Sequence, residues 1–495
     1  MSRDSLVIAG ATGFVGQAVA RKLASRADRL DLVGLTRGRS EAVGDWDRLV
    51  SCDLFSLKDV ERSVVGARFA LYLVHSMLPS ARLVQGRFSD LDLICADNFG
   101  RAAAKAGVEQ IVYLGGLIPD LPADQLSDHL SSRLEVEAAL GAHGVPVTTL
   151  RAGMVIGPGG SSFEILTRLV RRLPAMVLPK WSERICQAID LETVAALLDY
   201  TVGRTETYGH TYDVGGPDAL RYREMIQIVG EELGTPRPTF GVPMLTPKLS
   251  RLWVSLVTGA PRALVAPLIE SLKHDMVCGD RRLQEAAGLP GLPFREAVAW
   301  SLGAERVTDT AKPAAYRRAP AAAVVGVRSV QRIALPAGRD AEWAAHEYMR
   351  WLPHGVSPLL RVDVDDARTC SFFFGKKSKR PLLVLSFARD RSAKDRQLFY
   401  VTGGRLAEKT ERGRLEFRVT PDGEHLLTAI HDFVPRLPWW LYLITQALVH
   451  RWVMARFGKH LAAFPPDQPV MSENAPSTGT TTSNSPLRAT PTRPS

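Results

Sequence analysis

The residues Gly10-Ala11-Thr12-Gly13-Phe14-Val15-Gly16 follow the apolar run Leu6-Val7-Ile8-Ala9 and open the pattern Val15/Val19/Leu23. Apolar residues at every fourth position put one stripe on a helix, so the segment reads as strand, tight glycine turn and helix. Glycines let backbone and phosphate approach closely, and the first N–H groups of the helix, with its dipole, supply a positive field. The spacing is G-x-x-G-x-x-G rather than G-x-G-x-x-G, and the context is that of a turn holding a dinucleotide pyrophosphate.

A second apolar strand, Asp31 to Leu35, ends in Thr36-Arg37-Gly38-Arg39. Folds that take NAD place an acidic residue about twenty residues beyond the glycines, where it meets the ribose 2′-hydroxyl. Here that place holds a threonine and two arginines, and an arginine there forms charge-assisted bonds to a 2′-phosphate. The expected cofactor is NADP(H), with NAD(H) as the second choice. The competing reading makes Arg37 and Arg39 ordinary solvated loop charges.

The 495 residues suggest more than one domain, and five scattered cysteines without a CxxC pair suggest neither a disulfide framework nor a metal site. The expected compartment is a reducing cytoplasm, with association at the inner membrane face as a further option. A net charge of +10, spread along the chain, suits phosphorylated ligands or anionic membrane surfaces and makes no case for nucleic acid.

Strand-like and helix-like segments alternate from Ser5 to about Val214. Leu49–Asp53, Phe69–Val74, Gln110–Leu114 and Val147–Arg151 read as the third to sixth strands, with helices such as Asp90–Ala106 and Ser127–His143 between them. This alternation predicts an α/β fold, a Rossmann-like doubly wound parallel sheet with its site at the C-terminal strand ends. From Met154 to about Ser301 the pattern is irregular and more helical, with Asp190 placed to cap Leu191–Val202. Val242–Met276 is apolar but broken by Pro243, Pro247, Pro261 and Pro267 and charged by Lys248, Arg251 and Arg262. It is expected to line a lipophilic pocket rather than to span a membrane.

The division expected is residues 1–305 for the dinucleotide domain with a substrate lobe at about 154–301, 306–325 for an Ala/Pro-rich linker, 326–464 for a smaller α+β domain, and 465–495 for a disordered tail. In the third part, strand-like runs from Val327 to Phe433 enclose a helix at Asp340–Trp351 and precede a long helix at Trp439–Ala463. Such strands closed by one helix make a helix-grip-like unit that can hold an apolar ligand. The last helix is read as core-facing, the alternative being an interfacial membrane helix.

The glycine turn, Asp53-Leu54, Leu150-Arg151-Ala152-Gly153 and Val155-Ile156-Gly157-Pro158 resemble an atypical or extended short-chain dehydrogenase/reductase. Tyr72-Leu73-Val74-His75-Ser76-Met77 with Ser127-Asp128-His129-Leu130 resemble the YbjT-like NAD(P)-binding proteins, relatives of NmrA-type sensors and of the accessory Rossmann subunit of respiratory complex I. Val327 to Phe464 is similar to the DUF2867-type domain that follows in such proteins. The resemblance implies that Gly10, Thr12, Gly13, Phe14, Val15 and Gly16 hold the pyrophosphate and that Arg37 meets the 2′-phosphate. It places Asp53 and Leu54 at the adenine, and Leu73, Val74 and His75 at the ribose nearest the nicotinamide. Asp53 could instead cap a helix, with Ser56 nearby.

The catalytic pattern of that superfamily, a Ser or Thr on the fifth strand and Tyr-x-x-x-Lys on the next helix, is missing. The strand reads Tyr113-Leu114-Gly115-Gly116-Leu117 and the helix His129-Leu130-Ser131-Ser132-Arg133. His129 and Arg133 share a helix face, so an imidazole could move a proton while a fixed cation holds a ribose or oxyanion. Tyr72, His75 and Ser76 are further candidate donors. His129 could equally be a cofactor-side or surface histidine, and His431-Asp432 reads as structural.

The expected function is an NADP(H)-dependent oxidoreductase or isomerase acting on a hydrophobic small molecule such as a quinone, isoprenoid or lipid, in a pocket bounded by Met154, Phe163, Trp181 and Val242–Met276. The alternative is a non-catalytic redox sensor or assembly protein that keeps the cofactor, with peripheral membrane contact as a further possibility.

Overall fold

The computed structural model describes residues 3–465 apart from 27, 39–44, 76–82, 243–253, 256, 260–264, 266–268, 309–325, 359 and 376. Arg39, Ser76, Met77, the prolines and charges of 243–268, residues 309–325 of the expected linker and residues 466–495 of the expected tail lie outside the described residues.

The N-terminal half runs β1 (Asp4–Ala9), α1 (Phe14–Leu23), β2 (Leu30–Thr36), β3 (Arg48–Ser51), α2 (Leu57–Ser63), β4 (Phe69–Tyr72), β5 (Leu83–Gln85), α3 (Phe88–Ala106), β6 (Gln110–Gly116), α4 (Asp128–Gly141) and β7 (Val147–Ala152). After it come β8 (Val155–Ile156), α5 (Ser161–Arg172), β9 (Met176–Pro179), β10 (Ile185–Cys186), β11 (Ile189–Asp190), α6 (Leu191–Thr201) and β12 (Thr211–Val214). Parallel pairing orders the large sheet β12-β7-β6-β4-β1-β2-β3. The order reverses between β1 and β4, so a crevice opens beyond their C-terminal ends, where doubly wound sheets bind ligands. Leu6, Val7, Ile8 and Ala9 are at most 1% exposed because α1 and α6 cover one face and α3 and α4 the other. The strand at Thr211–Val214 completes the sheet and had no sequence assignment.

The intervening lobe adds β13 (Leu220–Arg221), α7 (Tyr222–Glu232), β14 (Thr239–Val242), α8 (Arg282–Ala287) and α9 (Phe294–Thr308). Its two-stranded pairings are β10 with β13, β11 with β8 and β14 with β9. The Asp190 side chain accepts from Thr193 N at 2.8 Å and caps α6 as its sequence position predicts. Helix α9 runs to Thr308, into the segment read as linker, because its apolar stripe Phe294, Val298 and Leu302 stays buried against the lobe.

The C-terminal part runs β15 (Val327–Ala334), α10 (Ala341–Gly355), β16 (Leu360–Val364), β17 (Cys370–Phe374), β18 (Leu383–Phe387), β19 (Arg396–Gly403), β20 (Arg414–Val419), β21 (His425–Phe433), α11 (Trp439–Ile444) and α12 (Gln446–Leu461). Its sheet has the order β16-β17-β18-β19-β20-β21-β15-β5. The last member comes from the N-terminal half, since β5 pairs parallel with β15, Arg328 opposite Val84. Sequence reading did not place that strand.

Strand β20 shows how the two halves meet. Leu415 and Phe417 face the helices α10 and α12, while Arg414, Glu416 and Arg418 lie buried on the opposite face, with Arg418 against α3. Arg418 bonds Asp97, Asn98 and Glu416, and Arg396 bonds Glu416 at 3.0 Å. Arg332 reaches Asp90 at 2.7 Å and Glu135 at 2.6 Å. Val330, Leu427 and Ala429 join the core around α3. These buried charges tolerate loss of water only because each meets an opposite charge.

The long helix expected at Trp439–Ala463 is two helices. At Thr445 the backbone leaves the helical region (φ −121°, ψ −85°), and the threonine hydroxyl bonds back to Leu441 O. Tyr442, Val453, Met454, Phe457 and Leu461 face the core, as the core-facing reading expects, whereas Trp440, Leu448 and Trp452 stay exposed. No helix among the described residues is long and apolar enough to cross a membrane, and all five cysteines are free thiols.

Candidate functional site

Strand β1 delivers Gly10 at φ +92°, a conformation that disfavours a side chain, and the Gly13 amide closes the turn on Gly10 O at 2.9 Å. A Cβ on Gly16 would stand 2.3 Å from Gly10 O, so only glycine lets the first turn of α1 lie this close to β1. Gly13 caps α1 without a side-chain bond, and no acidic residue sits in the first turn. The early N–H groups and the positive end of the helix dipole therefore face the crevice without an anion of the protein's own.

A cavity of about 670 Å³ begins at this turn and runs the length of the crevice. Gly10, Thr12, Gly13, Phe14, Val15 and Gly16 line one end, with Thr36 and Arg37 from the end of β2. Thr36 is buried and its hydroxyl donates to Gly38 O at 2.6 Å. Arg37 is exposed, and among the described residues no carboxylate pairs with it. Asp53 and Leu54, just past β3, line the same end, and Ser56 rather than Asp53 caps α2. The Asp53 carboxylate accepts from Arg328 at 2.5 Å, a partner the sequence did not announce.

Leu73, Val74 and His75 beyond β4, Gly115 and Gly116 at the end of β6, and His129 and Arg133 on α4 line the middle of the cavity. His75 Nδ1 lies 2.7 Å from Asp92 Oδ2 of α3, and His75 and His129 have ring centroids 5.1 Å apart. Phe88 stands 6.3 Å from each of the two rings. His75 Nε2 and His129 Nδ1 are buried and have no hydrogen-bond partner among the described residues.

Burial, with the Arg133 charge, pushes the His75 pKa below its ordinary value against the opposing pull of Asp92. His129 is pushed further down by burial, Arg133 and His75. Burial opposes the Arg133 charge, but Tyr113 and Asp92 hold its pKa above the usual arginine value, and it donates to Tyr113 Oη at 3.5 Å. Near neutral pH the site thus holds two neutral imidazoles beside one fixed cation.

Tyr72 does not line the cavity, although it lies close enough to Asp92 and Arg133 to feel their charges. Strand alternation turns it, with Ala70, toward α3, where it is 1% exposed and 5.2 Å from the Phe99 ring. The far end of the cavity is apolar, with Met154, Ile165, Trp181, Val254, Val265 and Ile269 among its walls. Phe163 is not a wall residue; α5 turns it into the lobe core. Asp92 and Arg328 were missed. Asp92 sits in an aspartate-rich stretch that reads as a solvated helix face, and Arg328 is distant in sequence from everything it touches.

Residues 6–187 match the model of the NAD dependent epimerase/dehydratase family. With the sheet order and glycine turn, the match agrees with a Rossmann-like α/β fold for the N-terminal half. The chain is 27% identical to the auxiliary protein GraX of Staphylococcus aureus (strain NCTC 8325 / PS 47), over 30% of this chain and 43% of that protein. The match thus spans less than half of that relative. It is 24% identical to sanguinarine reductase of Eschscholzia californica, over 33% of this chain and 73% of the relative. Among solved structures, the Citrobacter sp. triphenylmethane reductase complexed with NADP(H) aligns with a TM-score of 0.47 and 18% identity, covering 60% of this chain and 99% of that one. The Escherichia coli quinone oxidoreductase QOR2 complexed with NADPH aligns with a TM-score of 0.48 and 17% identity, over 60% and 99%.

Proposed function

We propose that this protein is an NADP(H)-dependent oxidoreductase acting on a hydrophobic small molecule, a quinone, isoprenoid or lipid carbonyl. The observation that carries the reading is the continuity of one cavity, from the glycine turn and Arg37, past His75, His129 and Arg133, to apolar walls at Met154 and Trp181. The match to a reductase agrees with it. Within this reading residues 1–305 form the cofactor and substrate unit and residues 326–464 a second, ligand-holding unit.

The residues present fit the dinucleotide. The α1 N-terminus takes the pyrophosphate, Arg37 the 2′-phosphate, and Asp53 and Leu54 the adenine. When bound, the reduced nicotinamide supplies a hydride. Arg133 then meets the negative charge that grows on the substrate oxygen, at any working pH. Asp92 fixes the His75 proton on Nδ1 and leaves Nε2 as an acceptor for a ribose or substrate hydroxyl. His129 takes a proton from solvent and passes it to the substrate oxygen, so the substrate gains one hydride and one proton. Gly115 and Gly116 leave room where a serine would otherwise stand.

A second reading, a cofactor-keeping sensor, is favoured by the missing Tyr-x-x-x-Lys. Titration with NADPH and NADH, followed by a panel of quinones and enones, separates the two. Preferred binding of NADPH with turnover supports the enzyme; binding without oxidation by any acceptor supports the sensor.

A further inference from the structure

The wall at the adenine end, Asp53 to Phe55, belongs to the N-terminal sheet; Asn98 of α3 donates to Leu54 O at 2.8 Å, and arginines of the C-terminal sheet hold Asp53 and Phe55. Arg328, 5% exposed on β15, donates to Asp53 Oδ2 at 2.5 Å and to Asp432 Oδ1 at 3.2 Å. Its guanidinium lies over the Phe55 ring, 4.1 Å from the centroid. Arg414 of β20 donates to Phe55 O at 2.5 Å and to Asp432 at 3.2 Å. The one backbone bond within the wall that the Asp53 side chain makes is with Phe55 N, at 3.2 Å.

The same strand grips the opposite side of the crevice. The chain leaves β4 through His75 and enters the C-terminal sheet as β5, paired with β15 at Val327, Arg328 and Ser329. It then turns directly into α3, which carries Phe88 and Asp92. A single strand of the second sheet is therefore tied to the residues at both the adenine and the nicotinamide ends of the cavity.

We infer that the C-terminal sheet is a structural part of the dinucleotide site and that Arg328 is a positioning residue for the adenine wall, acting through Asp53 and Phe55. The inference rests on the cofactor reading above. A guanidinium suits the task because its planar fork serves two carboxylates and stacks on a ring at once, which an ammonium cannot do. Through β15, a ligand or partner that shifts the second sheet would change dinucleotide affinity without touching the cavity.

The test compares the full-length wild type with Arg328→Met and Arg328→Lys. Binding of NADPH and of adenosine 2′,5′-bisphosphate, which lacks the nicotinamide, is measured by calorimetry, and melting is followed by circular dichroism. Arg328→Met is expected to weaken both ligands about tenfold or more, and Arg328→Lys less, with the melting temperature of Arg328→Lys kept. Wild-type affinity for both ligands in a folded variant overturns the inference. Should Arg328→Met fail to fold, Arg328→Lys decides alone, and unchanged affinity there overturns it. A wild type that binds neither NADPH nor NADH refutes the cofactor reading instead.

Discussion

His75 Nδ1 lies 2.7 Å from Asp92 Oδ2, while its other ring nitrogen, Nε2, is buried in the crevice without a partner among the described residues. A carboxylate behind an imidazole selects the tautomer and fixes the ring, leaving the far nitrogen for a hydroxyl of cofactor or substrate. Replacing Asp92 by Asn keeps the shape but reverses the hydrogen-bond preference. We expect kcat/KM for reduction to fall about a hundredfold while NADPH affinity stays within about threefold. Steady-state kinetics beside a binding titration checks this.

Arg37 is the candidate reader of the 2′-phosphate. Arg37→Ala should weaken NADPH by about 2 kcal/mol and leave NADH almost unchanged. Equal losses for both cofactors would return Arg37 to the role of a solvated loop charge.

Gly16 cannot accept a side chain without moving the turn, since its Cβ would meet Gly10 O at 2.3 Å. Gly16→Ala should abolish detectable dinucleotide binding and cost about 1–3 kcal/mol of stability, read from chemical denaturation.

How much of this was legible in the sequence differs between the halves. The parallel sheet and the glycine turn at one end of the cavity were readable because both depend on local pattern: apolar runs, glycine spacing, and the residues just past strand ends. The seam was not. The alternation Arg414-Leu415-Glu416-Phe417-Arg418 reads as a strand with one wet face, yet that face is buried against Asp97 and Asn98, far away in sequence. Pairing of β5 with β15 was hidden for the same reason. Tyr72 lies off the cavity wall because alternation along β4 turns it, with Ala70, toward α3, a facing that depends on which helix covers which side of the sheet.

Acid should lower the stability of the protein over two successive pH windows. His75, His129, His431 and His450 have folded-state pKa values below the ordinary 6.5, chiefly through burial, with His450 pushed down to about 4. The folded state therefore binds fewer protons than the unfolded chain in this window. Their stabilisation is complete above 6.5 and drains as pH falls toward the folded values, at up to about 1.4 kcal/mol per pH unit per histidine. Below that window Glu416 and Asp432 follow. Burial alone would raise their pKa values, but arginine partners hold both carboxyls below the usual range. Calorimetric melting between about pH 7.5 and 5 should show Tm falling on acidification, and a flat profile there would contradict the assignment.

In the proposed reaction one cavity brings a dinucleotide and a hydrophobic acceptor together. The most direct measurement mixes the full-length protein with NADPH and a naphthoquinone and follows the loss of nicotinamide fluorescence. Multiple turnovers are expected, and Asp92→Asn and Arg133→Met should each suppress them. Bound NADPH that is never oxidised, by this quinone or by any of a panel of quinones and enones, would contradict it.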